Sequence, residues 1–160
     1  MGHKELSRWL KALLVLTAVI GLFLAFVLMP NVARTLLEED RMHYAHLELP
    51  FEIFVWASVV PFLAMLFLAW QVFDQIGKDN SFCEENANKL KTISILGVVE
   101  VVYYFGGLVA LMFIDIFYAP IIITIAIVIF FAFAISVIAA ALSHLVLKAW
   151  IIKSENDLTV

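Results

Sequence analysis

Four stretches of this 160-residue chain are each apolar for long enough to cross a bilayer. They run over about residues 10–29, 51–72, 90–114 and 120–147. A hydrocarbon core takes about 20 apolar helical residues to span. It holds no water to satisfy a bare backbone, so stretches of this kind form helices that close their own hydrogen bonds. The pattern predicts an all-α fold: a polytopic four-transmembrane-helix bundle forming one domain. The apolar fraction of 64% agrees, because soluble domains hold about 45–50%. The first stretch follows basic residues, as a signal peptide does. Yet a signal core is only about 7–15 residues long. Pro30-Asn31-Val32-Ala33-Arg34 carries no small-x-small cleavage site, so Leu10–Met29 is expected to be a retained span.

Local signals mark the helix ends. Pro30 is expected to stop span one, and Pro50 precedes span two. Pro61 lies inside span two and frees the Ala57 carbonyl, with Ser58 placed to re-satisfy the local backbone. Gly77 suits a left-handed helix cap. Ser81 and Glu84 have the spacing of a capping box. Ile121–Leu147 would measure about 40 Å at 1.5 Å per residue, so span four must tilt or project beyond the lipid.

Charge gives the orientation. Lys4, Arg8 and Lys11 belong to the N-terminal tail and the edge of span one, Lys78, Lys89 and Lys91 to the second connection and the edge of span three, and Lys148 and Lys153 to the C-terminal end. With four spans these segments share one side, and only Arg34 and Arg41 lie on the other. Basic residues collect on the cytoplasmic side. The N- and C-termini and the 73–89 loop are therefore expected to be cytoplasmic, in a multi-pass protein of the cell membrane. The 30–50 loop faces outward. It is acidic (Glu38, Glu39, Asp40 and Glu48, with Glu52 at the membrane edge), and Arg34–Glu38 and Glu38–Arg41 pairs can lace it as a solvated cap. A net charge of −4 offers no basic surface for nucleic acid.

Glu100 lies near the centre of span three. A charged side chain there costs about 3 kcal/mol on insertion scales. The cost is avoided if the group faces the bundle, meets donors or holds a proton. Tyr103 and Tyr104 stand three and four residues on, where a phenol can donate to it. Two readings stay open: a proton- or cation-responsive ligand site made of Glu100, Tyr103 and Tyr104, and a neutral structural acid between helices. Asp115 and Glu52 sit at outer span ends and can pair with Arg34 or Arg41. His144 reads as a helix-packing polar group. His43 and His46 are too few for zinc, which takes four ligands or three plus water, so no metal is expected. Ala132, Ser136, Ala140 and Ser143 form a small-residue face that packs span four in the bundle or seams a homo-oligomer; Gly97 and Gly21 suit the same purpose. Cys83 is the single cysteine. No catalytic or phosphate-binding motif is present, so neither an enzyme nor a cofactor is expected.

Two segments carry a family resemblance. Gly77-Lys78-Asp79-Asn80-Ser81-Phe82-Cys83-Glu84-Glu85-Asn86-Ala87-Asn88-Lys89-Leu90-Lys91-Thr92-Ile93 resembles a "G…F…EN…L+.I" loop, and Ala149–Val160 resembles an ending of the form "ENDLTV/I". With four spans and this length, the chain resembles the DUF2975 family of small membrane proteins of Gram-positive and other bacteria. Cys83 departs from the pattern, where Ser is expected. The resemblance implies a non-enzymatic membrane protein associated with a small Xre/Cro-type helix-turn-helix regulator. It singles out Phe82, Glu85, Asn86, Glu155, Asn156, Asp157 and Leu158 as partner-binding candidates, all on the expected cytoplasmic side. The expected function is a membrane sensor or regulator that controls such a regulator. The alternatives are an immunity protein against a membrane-active peptide and a small proton-coupled transporter using Glu100.

Overall fold

The computed structural model of the chain describes residues 2–31, 34, 47–114 and 119–157. Four long helices fill them. Helix α1 starts as His3–Phe23, passes through a wide π turn at Leu24–Leu28 and is described as far as Asn31. Helix α2 is Glu48–Gly77, α3 is Glu84–Phe113 and α4 is Ala119–Asp157. All four are long and apolar enough to cross a membrane. Each outruns its apolar stretch, because helical hydrogen bonding continues through polar residues once a helix is under way.

Pro30 does not stop α1. The Met29 N–H donates to the Leu24 carbonyl, five residues back. This offset ladder absorbs the missing proline donor. The Asn31 side-chain amide then donates to the Val27 carbonyl at 2.8 Å.

The end of α2 corrects the expected glycine cap. The left-handed residue is Asp79, with φ 60°, and no glycine among the described residues has positive φ. The Asp79 N–H donates to the Ile76 carbonyl and the Asn80 N–H to the Gln75 carbonyl, which together form a Schellman motif. Asp tolerates this conformation better than most side chains. Gly77 serves a different purpose. A Cβ there would lie 2.9 Å from Ser7 Oγ, so its hydrogen lets α1 approach α2 closely.

The expected Ser81–Glu84 capping box does not form. The N-cap of α3 is Cys83, in extended conformation and without a side-chain cap bond. Ser81 therefore stands two residues too early to reach the orphan N–H groups of the first turn. Asn86 organises this connection instead, through the carbonyls of Asn80 and Ser81.

Successive helices run antiparallel. Ser7 Oγ donates to the Phe73 carbonyl at 2.6 Å, joining the start of α1 to the end of α2. Lys11 reaches Asp74 at 2.7 Å and lies over the Trp70 ring at 4.8 Å. Lys78 reaches the other Asp74 oxygen, also at 2.7 Å, and that hydrogen bond raises the Lys78 pKa. Further along, the Phe62 ring fills the space left by Gly21. Between α2 and α3, Phe54 stacks on Tyr103 at 4.4 Å and sits in the space left by Gly107.

The α3–α4 contact is the most extensive. Ser136 Oγ donates to the Ser94 carbonyl at 2.8 Å and Ser143 Oγ to the Ala87 carbonyl at 2.7 Å. The buried small face of α4 is Ala132, Ser136 and Ala139, with Ala140 exposed. This face lies on α3 and so is not free to seam a homo-oligomer. Every extensive contact among the described helices joins neighbours in the chain. The helices thus form an antiparallel row, α1–α2–α3–α4, more open than a bundle closed by α1 on α4.

Candidate functional site

Ile93, Gly97 and Glu100 occupy one buried face of α3. The spacing of four and then three residues keeps them in line along the helix. Gly97 lets α4 come close; a Cβ there would lie 2.9 Å from Ser136 Cβ and 3.1 Å from the Ala132 carbonyl oxygen. That approach helps close the surroundings of Glu100, which is only 5% exposed.

Glu100 lacks the partners expected of it. Its Oε2 is buried and makes no hydrogen bond. Both neighbouring phenols are turned to α2. The Tyr103 hydroxyl donates to the Phe54 carbonyl at 2.8 Å. The Tyr104 and Ser58 hydroxyls lie 2.7 Å apart, and Ser58 Oγ also bonds the Val55 carbonyl at 2.8 Å. A serine hydroxyl has one proton. Spent on Val55, that proton leaves Tyr104 as donor to Ser58. Ser58 is thus part of the tyrosine cluster, and the local backbone group it bonds is the Val55 carbonyl, with no bond to Ala57. The three rings lock together, with Tyr104 edge-on to Phe54 at 5.5 Å and to Tyr103 at 5.8 Å.

The result is a carboxyl group with unused hydrogen-bonding capacity beside a small network whose donors are already engaged. Such a group can hold a proton or receive a donor from elsewhere. Among the described residues, no three His, Cys, Asp or Glu side chains gather as a metal site would require. A surface groove lined by Glu5, Arg8, Trp9 and Ala12 lies on the first turns of α1, far along the fold from Glu100.

The partner-binding candidates divide. Phe82 is 55% exposed in the connection before α3. Glu85 is exposed and pairs with Lys89 at 2.6 Å. Asn86 is withdrawn as a docking residue: it is 1% exposed, and its amide nitrogen is held by the Asn80 and Ser81 carbonyls at 3.2 and 3.1 Å. Glu155 and Asn156 are exposed in the last turn of α4, and each is engaged in contacts. Asp157 ends that helix, and Leu158 lies outside the described residues.

His144 is exposed and does not pack between helices. Arg34 pairs with Glu48 at 3.1 Å and with Glu52 at 3.6 Å, as the outer-end charges predict. Glu38, Glu39, Asp40, Arg41, His43, His46 and Asp115 lie outside the described residues. Sequence reasoning missed Phe54 and Gly107 as parts of the cluster. An aromatic residue and a glycine in separate spans give no sign of their pairing until the helix register is known.

A profile of the family described as "Protein of unknown function (DUF2975)" matches residues 34–160. The chain is also 35% identical over 154 residues to the "Uncharacterized membrane protein YoaS" of Bacillus subtilis (strain 168). That alignment covers 95% of this chain and 96% of the relative. No solved structure matches.

Proposed function

The chain belongs to the DUF2975 family, and from that premise we propose that it is a non-enzymatic membrane sensor controlling a small helix-turn-helix transcription regulator. The observation that carries this reading is Glu100. A purely structural polar group in a membrane helix finds partners, as Ser94, Ser136, Tyr103 and Tyr104 do. Glu100 Oε2 finds none. An intramembrane acid kept at that cost is by default a functional group. In this reading it is the input.

The output side is the end of the row that holds the start of α1, the 78–83 connection and the end of α4. The excess of Lys and Arg there supports reading it as the cytoplasmic end. Exposed Phe82, with Asp79, Glu84 and Glu85 nearby in sequence, offers one contact surface. The end of α4 offers another: beyond Ser143 it runs from His144 to Asp157, about 21 Å at 1.5 Å per residue.

The test uses cells carrying the protein, a candidate small Xre/Cro-type helix-turn-helix regulator and a reporter for that regulator. Glu100→Gln should change reporter output at an unchanged membrane level of the protein. The regulator should co-purify in mild detergent, and Phe82→Ala should weaken that association. A reporter indifferent to Glu100→Gln, with no association, would overturn the proposal. The same orphaned carboxyl favours proton-coupled transport as a second reading, which requires proton-driven flux in vesicles that Glu100→Gln abolishes.

A further inference from the structure

Glu100 and its two tyrosines are arranged so that one proton decides which acceptors the phenols use. Side chains on a helix lean toward its N-terminus. Tyr103 and Tyr104, three and four residues past Glu100, are therefore placed to lean back over its carboxyl. In this structure both hydroxyls reach across to α2 instead, to the Phe54 carbonyl and to Ser58 Oγ. Those two hydrogen bonds and the Phe54 stack are the polar and aromatic ties between α2 and α3 at this level. They leave Glu100 Oε2 buried without a donor.

We propose that Glu100 is a proton-binding site whose occupancy decides whether Tyr103 and Tyr104 tie α3 to α2 or turn back onto the carboxylate. The inference rests on the reading of Glu100 as the input and supplies its ligand and its mechanism. With the proton on, the carboxyl is neutral and competes weakly for the phenols, as in the arrangement seen here. With the proton released, the carboxylate accepts charge-assisted hydrogen bonds. These are roughly twice as strong as the neutral bond to the Ser58 hydroxyl. The phenol protons stay on their oxygens and change only their acceptors. The Phe54 carbonyl and Ser58 Oγ are left behind, and the α2–α3 tie is released.

Among the described residues, nothing else in the surroundings competes for this role. The stretches 12–31 of α1, 53–73 of α2 and 119–143 of α4 contain no ionisable side chain. On α3, Tyr103 and Tyr104 are the only other titratable groups between Thr92 and Phe113. Apart from these two phenols, the proton on Glu100 has no neighbouring acid or base among the described residues to share it.

The test is a distance measurement across the tie. Ile53 on α2 and Met112 on α3 are both exposed, so each accepts a spin label without disturbing the packing. The protein carries Cys83→Ser, Ile53→Cys and Met112→Cys, is labelled at the two new thiols and is placed in lipid nanodiscs across a pH series. The expected result is two distance populations whose ratio changes with pH, by up to about tenfold per unit for a single proton. Raising the pH should favour the released one. Glu100→Gln should abolish the pH dependence because the amide does not titrate. The Tyr103→Phe, Tyr104→Phe pair should abolish it because the switching donors are gone.

A merely structural glutamate would leave a single, pH-independent distance in the parent protein, and that result overturns the proposal. So does a pH response that survives Glu100→Gln. No transcription regulator is present in this experiment. The latch can therefore stand if the regulator reading fails, and it can fail while a regulator still binds.

Discussion

Gly97 is where the α3–α4 contact is most vulnerable. An added Cβ would sit 2.9 Å from Ser136 Cβ, 3.1 Å from the Ala132 carbonyl oxygen and 3.3 Å from Ser136 Cα. Two of these three are backbone atoms, so a rotamer change cannot relieve the clash and α4 itself must move. Overpacking of this kind costs about 1–3 kcal/mol. Alanine recovers about 1 kcal/mol of helix propensity over glycine, which leaves Gly97→Ala with a net loss of up to about 2 kcal/mol. Gly97→Leu gains no more propensity and adds three further carbons against the same wall, so its loss must be larger. The two serine bonds that cross this contact weaken as well, at about 0.6 kcal/mol each for interhelical bonds in membranes. Reversible unfolding in bicelles, followed by circular dichroism, measures the series. Ser136→Gly in the Gly97→Ala background removes the nearest clashing atom and should return part of the loss, although it also deletes the Ser136 hydroxyl. Wild-type stability in Gly97→Leu would refute the close approach of α3 to α4, and with it the enclosure of Glu100.

Asn86→Ala removes two hydrogen bonds that hold the connection before α3, at about 1 kcal/mol each. Limited proteolysis should then cut between Lys78 and Cys83 faster, with the α3–α4 contact intact. Ser7→Ala removes the 2.6 Å bond to the Phe73 carbonyl and should cost about 1 kcal/mol. Hydrogen exchange should show the first turns of α1 opening faster while α3 and α4 are unchanged.

The spans were legible because bilayer thickness imposes a length that no other fold requires, and their prolines and charges marked the ends approximately. The details at those ends were not. Gly77 looked like a left-handed cap, yet its role is to receive Ser7 from another helix, a contact invisible in local sequence. Pro30 looked like a stop, but a π turn offsets the ladder before it. Glu100 was conspicuous as the one acid deep in a span. Its lack of a partner was not, because the i+3 and i+4 tyrosines were the obvious donors. Their preference for α2 depends on the Phe54 carbonyl and Ser58, which only the α2–α3 register brings within reach. Asn86 likewise stood among the partner-binding candidates, and only the fold of the 78–83 connection shows why it is covered.

The sensor role and the tyrosine latch both require Glu100 to be enclosed within the membrane, apart from water and from charged partners. Carbodiimide labelling in proteoliposomes tests this directly. A lipid-soluble carbodiimide adds to a protonated carboxyl from the bilayer, whereas a water-soluble one with an added amine reaches acids at the surface. Mass spectrometry of the digested protein should find the lipid-soluble reagent on Glu100, and the water-soluble reagent on exposed acids such as Glu84 and Glu85 but not on Glu100. Labelling of Glu100 from water as readily as Glu84 would contradict the buried, unpartnered carboxyl on which the proposed function and the tyrosine latch both stand.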